Sequence, residues 1–115
     1  MSGDPEVSFR HTPYGEARSV EMLPGVVRRT LAVGERMLLV EITLQAGGTV
    51  PPHSHPHEQI GYLIKGRLQF EVDDRQTIVE AGGGYCIPGG VTHSAVALED
   101  SVAVEVFSPV REEYR

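Results

Sequence analysis

Apolar and polar residues alternate along most of the chain after residue 17, with a period of two. In the segment MLLVEITL, residues 37–44, every second side chain is a branched aliphatic one: Leu38, Val40, Ile42 and Leu44. Such a period places successive side chains on opposite faces of an extended strand. Similar short segments recur as VVRRTLAV, QIGYLIK, RLQFEV, VDDRQTIV, YCIP, HSAVAL and SVAVEVF. Short strands separated by frequent turn residues predict an all-β protein, either a sandwich or a barrel.

Turn residues predict how some of these strands connect. QIGYLIK and RLQFEV flank Lys65-Gly66, so we expect a hairpin there, and VDDRQTIV predicts a second hairpin that turns at Asp73-Asp74. Residues 1–17 are polar and contain Pro5 and Pro13, which predicts a loose N-terminal arm that a partner subunit orders. The folded domain is then expected to span residues 18–115.

Composition narrows the class of protein. A chain of 115 residues with 40% hydrophobic and 23% charged residues is typical of one globular domain. The net charge of −6, with Lys65 as the single lysine, excludes the basic surface that nucleic-acid binding requires.

No apolar run is long enough to cross a membrane and no signal peptide is evident, so we expect a cytoplasmic protein. Cys86 is the sole cysteine and is predicted to be a small core residue.

Potential metal-binding and catalytic side chains are most concentrated in the segment PPHSHPHEQIGY, residues 51–62. His53 and His55 are two apart, so on a strand they project to the same side and can begin a metal site. The simpler alternative is a polar loop whose histidines lie at the surface. Gln59 opens the next strand and can turn its carbonyl oxygen toward the pair, and His93 follows a Pro-Gly-Gly turn at another strand start. These two features favour the metal site.

The last strand, in SVAVEVFSPVREEYR from residue 101, carries one carboxylate among apolar residues. Its alternation places Ala103, Glu105 and Phe107 on one face. If that face is outside, Glu105 is an ordinary exposed acid. If it is inside, poor solvation raises the pKa of Glu105 and suits it to proton transfer. Arg111 follows a Ser-Pro turn and is either a solvated tail charge or a partner for a substrate carboxylate at the mouth of the fold.

Taken together, these residues resemble the two motifs of the cupin superfamily. The first motif is matched by Gly47, His53, His55, Gln59 and Gly66, and the second by Gly82, Pro88, Gly90 and His93. The chain departs from the usual pattern at Gln59, where cupins have glutamate, and at Ala97, where they have asparagine. The resemblance implies a jelly-roll barrel of two antiparallel sheets. It also implies one divalent transition metal (Zn, Ni, Fe, Co or Mn) bound by His53, His55, Gln59 and His93.

Within the cupins, the chain resembles the KdgF group in its His-x-His, its HPHEQ segment and its ending of acid-Val-Phe followed by Arg-Glu. This resemblance implies the conversion of 4,5-unsaturated monouronates from pectin or alginate into linear keto-sugars. Glu105, where the group usually has aspartate, would be the catalytic residue, and the substrate would contact Arg111, Phe107 and Tyr62. The alternatives are a dioxygenase acting on an enolic or aromatic small molecule and a cupin that binds a ligand without catalysis. We expect a homodimer.

Overall fold

Two antiparallel sheets face each other in this structure, a computed structural model that describes residues 9–115. Within those residues the strands are β1 (Ser19–Leu23), β2 (Val26–Val33), β3 (Leu38–Leu44), β4 (Thr49–His53), β5 (Glu58–Lys65), β6 (Arg67–Val72), β7 (Arg75–Glu80), β8 (Gly84–Ile87), β9 (His93–Ala97) and β10 (Ser101–Ser108). One sheet has the order β1-β2-β3-β10-β5-β8 and the other β4-β9-β6-β7. The predicted all-β jelly roll of two antiparallel sheets is confirmed.

The hydrophobic core fills the space between the sheets and follows the alternation of the sequence. Four of the five aliphatic residues of β3 point inward and are buried: Leu38, Val40, Ile42 and Leu44. From the opposite sheet, Leu68 and Phe70 of β6 meet them. Burial of these apolar side chains is the main driving force that holds the sheets together, and it fixes which face of each strand lines the interior.

One of the two expected hairpins forms. β6 and β7 pair through Asp73-Asp74, whose φ angles of 49° and 68° are the positive values that a tight two-residue hairpin turn requires. The prediction of a hairpin at Lys65-Gly66 was wrong, because β5 and β6 belong to different sheets. Gly66 has a φ of 96°, and a Cβ there would overlap Ser101 and the backbone of Asp100. This glycine is where the chain crosses from one sheet to the other.

The described part of the predicted N-terminal arm packs against its own chain, while residues 1–8 lie outside the described residues. Arg10 Nη2 donates to the carbonyl oxygen of Val33 at 2.6 Å, and the Tyr14 hydroxyl donates to Glu41 Oε1 at 2.7 Å. A short 3₁₀ helix, Tyr14–Glu16, leads into β1. Among residues 9–115, no helix is long and apolar enough to cross a membrane.

The expectation that Cys86 belongs to the core was wrong. Cys86 is exposed on the outer side of β8, because its neighbours Tyr85 and Ile87 take the inward positions. Its Sγ atom lies 3.9 Å from Glu58 Oε2.

Candidate metal centre

Three histidines converge at one end of the interior. His53 ends β4 and His93 begins β9, and the two are direct partners in the ladder between these strands. His55 follows β4 by two residues and is buried. One ring nitrogen from each histidine lies within 4.8 Å of the other two. The two motifs that are separate in the sequence therefore form one cluster of potential metal ligands.

Each of the three rings turns its Nδ1 atom toward a backbone carbonyl. The Nδ1 atoms lie 2.9–3.1 Å from oxygens two residues away, in the pairs His53–Pro51, His55–His57 and His93–Val91. A carbonyl can only accept, so each Nδ1 carries the hydrogen and each Nε2 offers a lone pair. Among the described residues, the buried Nε2 of His93 has no hydrogen-bond partner. An orphaned lone pair beside two others is what a metal ion would satisfy.

Burial also keeps two of these imidazoles, those of His55 and His93, in the neutral form that binds metals. Removal of His55 from water, together with the nearby charge of Arg111 and the neighbouring His93, lowers the pKa of His55 to about 4. Burial likewise lowers the pKa of His93. Protons therefore compete weakly with a metal for these two rings near neutral pH.

Gln59 links the cluster to the interior of the fold. It is buried on the inner face of β5, with Oε1 3.2 Å from His55 Nε2 and Nε2 donating to Glu105 Oε2 at 2.9 Å. Since the hydrogen of His55 is engaged at Nδ1, His55 Nε2 and Gln59 Oε1 are two acceptors facing each other. Two ligand atoms on one metal at about 2.1 Å and at right angles are separated by about 3 Å. The pair therefore fits a shared cation.

Glu105 lies inside the fold and not on its outer face. Its side chain is buried at 8% exposure, in the middle of β10, and it accepts a hydrogen bond from the Tyr85 hydroxyl at 2.6 Å in addition to that from Gln59. Burial raises the pKa of Glu105, while these hydrogen bonds and the charge of Arg111 oppose the rise. A carboxyl with a raised pKa beside a cluster of potential metal ligands is suited to proton transfer.

Arg111 lines a cavity beside the histidine cluster and is not a solvated tail charge. Its side chain is only 12% exposed and its Nε lies 3.6 Å from Glu113 Oε2. The guanidinium carbon is 4.2 Å from the centre of the Tyr114 ring and 5.2 Å from that of Phe107. Together with Arg111, these two rings line the cavity that also contains His53, Gln59, His93 and Glu105. The guanidinium is thus placed where an anion entering the cavity would meet it.

The sequence analysis wrongly placed Tyr62 in the candidate site, and it missed two tyrosines that belong there, Tyr85 and Tyr114. Tyr62 is 50% exposed on the outer face of β5, because it is three residues from Gln59 and so has the opposite orientation. Tyr85 contacts Glu105 instead, and the alternation within YCIP, which pairs Tyr85 with Ile87, was the available signal. Tyr114 lines the cavity, and nothing in its local pattern indicates this.

Two residues next to the histidine cluster in the sequence do not belong to it. His57 is half-buried, with its ring centre 5.5 Å from that of His55, and it is not part of the convergent group. Glu58 is exposed, on the face of β5 opposite Gln59.

A two-sheet jelly roll that brings three histidines and an amide together in its interior has the architecture and the ligand arrangement of a cupin. The chain belongs to the Cupin domain family, whose profile matches residues 40–109.

Relatives within this family are similar along nearly the whole chain. The pectin degradation protein KdgF of Dickeya dadantii (strain 3937) is 27% identical over 96 residues, which cover 82% of this chain and 87% of that protein. The structure of KdgF from Halomonas sp. is 28% identical with a TM-score of 0.87, covering 94% of this chain and 100% of that one. An RmlC-like cupin from Shewanella frigidimarina NCIMB 400 is 25% identical with a TM-score of 0.87, covering 94% and 97%. The resemblance to KdgF read from the sequence is confirmed.

Proposed function

We propose that this cupin is a metal-dependent enzyme that converts 4,5-unsaturated monouronates into linear keto-sugars. The observation that carries the proposal is the contact chain His55–Gln59–Glu105, which puts a buried carboxyl one amide away from the histidine cluster. Similarity to proteins named for pectin degradation supports a substrate derived from an acidic polysaccharide.

The proposed cofactor is one divalent transition metal held by His53, His55, Gln59 and His93. The donor set of imidazoles and an amide suits Zn, Ni, Fe, Co or Mn. Since all four ligands are neutral, the bound ion would keep its full double charge, act as a Lewis acid and attract an anionic substrate.

Arg111 is the proposed anchor for the substrate carboxylate. The chain carries a net charge of −6, so an anionic sugar needs a local positive charge to enter. A guanidinium can bind a carboxylate through two parallel hydrogen bonds, and within residues 9–115 the carboxylate paired with Arg111 is that of the exposed Glu113, 3.6 Å from Nε. Phe107 and Tyr114 support the guanidinium through their ring faces, which leaves its Nη donors available to the substrate.

Glu105 is the proposed proton-transfer group. Opening the ring requires that a proton leave the hydroxyl on the hemiacetal carbon while the ring C–O bond breaks and the ring oxygen takes up a proton, which releases an enol. The enol then becomes a ketone by losing its hydroxyl proton and gaining a proton at carbon. As a carboxylate, Glu105 can take a proton, and its raised pKa favours holding that proton until it is returned within the same closed site.

The test is an anaerobic assay on a panel of unsaturated monouronates, with protein loaded in turn with each candidate metal. We expect loss of the ultraviolet absorbance of the unsaturated bond without oxygen uptake. The control is the double variant His53→Ala/His55→Ala, which loses two ligands at once. Failure of every metal form to consume any of these sugars would refute the proposal. Turnover of an enolic or aromatic compound with oxygen uptake would support a dioxygenase, and tight binding without turnover a ligand-binding cupin.

We also propose that the protein is cytoplasmic, because an exposed thiol such as Cys86 stays reduced there. We propose further that two copies pair through the outer face of the six-stranded sheet. On β5, Ile60, Tyr62 and Ile64 are each about half-exposed, and the register of β10 places Val104 beside Tyr62. A second copy would offer the same apolar patch in return, as a two-fold interface requires. Sedimentation of the wild type as a dimer and of Ile60→Glu as a monomer is expected; a monomeric wild type would contradict the pairing.

A further inference from the structure

The contact between Tyr85 and Glu105 crosses an intervening strand. Tyr85 lies on the edge strand β8 and Glu105 on β10, with Gly61 of β5 between them in the same row of the sheet. Residues two strands apart are separated by about 9.6 Å. The Tyr85 ring spans this gap by lying directly over Gly61, where a Cβ would overlap the ring. The Tyr85 hydroxyl therefore reaches Glu105 because residue 61 is a glycine.

The two protein donors to Glu105 use the same oxygen. Tyr85 donates from its hydroxyl at 2.6 Å and Gln59 from Nε2 at 2.9 Å, both to Oε2. No group among residues 9–115 donates to Oε1 of Glu105. Two donors on one oxygen fix the plane of the carboxyl group, and the other oxygen is left for a substrate in the cavity that Glu105 lines.

Tyr85 is itself held firmly. Its ring packs against Phe70 with a centroid distance of 4.7 Å on the side of the core. Burial and the neighbouring charge of Glu105 raise the pKa of Tyr85, so its hydroxyl keeps its hydrogen and donates it.

We propose that Tyr85 is a positioning residue, which holds Oε2 of Glu105 so that Oε1 is the atom that takes and returns the proton. The inference rests on the proposed function, because it assigns the orientation of the group that this function needs. Tyr85 acts through Glu105 and does not touch the substrate.

The kinetic test compares Tyr85→Phe, which removes only the hydroxyl, with the matched control Tyr62→Phe on the outer face of the neighbouring strand. We expect Tyr85→Phe to lower kcat roughly tenfold, the size of one lost hydrogen bond to a charged group, with KM and metal content unchanged. Tyr62→Phe should match the wild type. In a Glu105→Gln background, Tyr85→Phe should lower kcat no further, whereas a purely structural tyrosine would lower it by the same factor in both backgrounds.

A second measurement does not depend on the substrate. Infrared difference spectra, with the Glu105 carboxyl band identified by its loss in Glu105→Gln, should show that band shifted in Tyr85→Phe and unshifted in Tyr62→Phe. An unshifted band, or a Tyr85→Phe enzyme with wild-type kcat, overturns the positioning role alone. A wild type that consumes no uronate overturns the proposed function and with it the assignment of Oε1, even where the band shifts.

Discussion

Replacing Glu105 with glutamine separates the acid–base chemistry of this side chain from its structural contacts. Glu105 Oε2 accepts from Tyr85 at 2.6 Å and from Gln59 at 2.9 Å. The amide oxygen of the substituted glutamine can accept both, with its NH₂ group in the position of Oε1. Because neither donor loses its partner, we expect the free energy of unfolding to change by about 1 kcal/mol or less. The metal ligands are untouched, so metal content should stay at the wild-type level.

The rate should respond very differently. An amide cannot take up or release a proton at neutral pH, and general acid–base catalysis contributes roughly 10²–10⁴-fold to a rate. This corresponds to about 2.7–5.4 kcal/mol of activation free energy. The assay is the initial rate on an unsaturated monouronate, measured beside metal content by mass spectrometry and stability by urea denaturation.

Glu105→Leu provides the structural control. Leucine leaves the Tyr85 hydroxyl and the Gln59 amide without an acceptor, at about 1–3 kcal/mol for each buried group. We therefore expect a loss of about 2–6 kcal/mol of stability in Glu105→Leu and little loss in Glu105→Gln, with both nearly inactive. Wild-type turnover in a fully metallated Glu105→Gln protein would remove Glu105 from the mechanism. Loss of metal in that variant would show that Glu105 acts by holding Gln59.

The remaining predictions concern the metal and the substrate anion. His53→Ala/His55→Ala should abolish binding of the roughly one metal ion per chain expected for the site, whereas His57→Ala should retain it. Elemental analysis measures the metal content, and loss of metal in His57→Ala with retention in the double variant would mean that the wrong histidines were chosen. Gln59→Glu should keep the metal but lower activity, because it places a second carboxylate against Glu105, repels an anionic substrate and weakens the Lewis acid; full activity would deny the neutral ligand a role. Arg111→Ala should raise KM roughly 10-fold or more through loss of a charge-assisted contact, and an unchanged KM would argue against carboxylate binding at this position.

Several features followed from local sequence alone. The strands β2, β3 and β10 begin and end within a residue of the segments that alternation indicated, because the period of two is a property of neighbouring residues. The same alternation put Glu105 and Phe107 on one face of β10. The spacing of the two histidine motifs was sufficient for the family and for the histidines that converge, since that spacing encodes the ends of specific strands.

Other features were decided only when the two sheets came together. Alternation shows which residues of a strand share a face, but not which face is buried. On β5 the outward face, with Ile60, Tyr62 and Ile64, is the more apolar one, while the inward face carries Gln59 and Gly61. On β5, hydrophobicity therefore does not indicate the buried face, and Tyr62, which the resemblance had implied as a substrate contact, lies outside the site.

Strand pairing is the second feature that the local sequence pattern could not predict. β5 finds its partners in β10 and β8, and the crossing at Gly66 replaces the expected hairpin. This pairing brings Tyr85 across Gly61 to Glu105, 20 residues away in the chain. The sequence by itself determined most of the strands, the family and the candidate ligands. Long-range packing decided which side chains surround those ligands, because burial of the whole interior selects one arrangement of sheets from many that share the same local pattern.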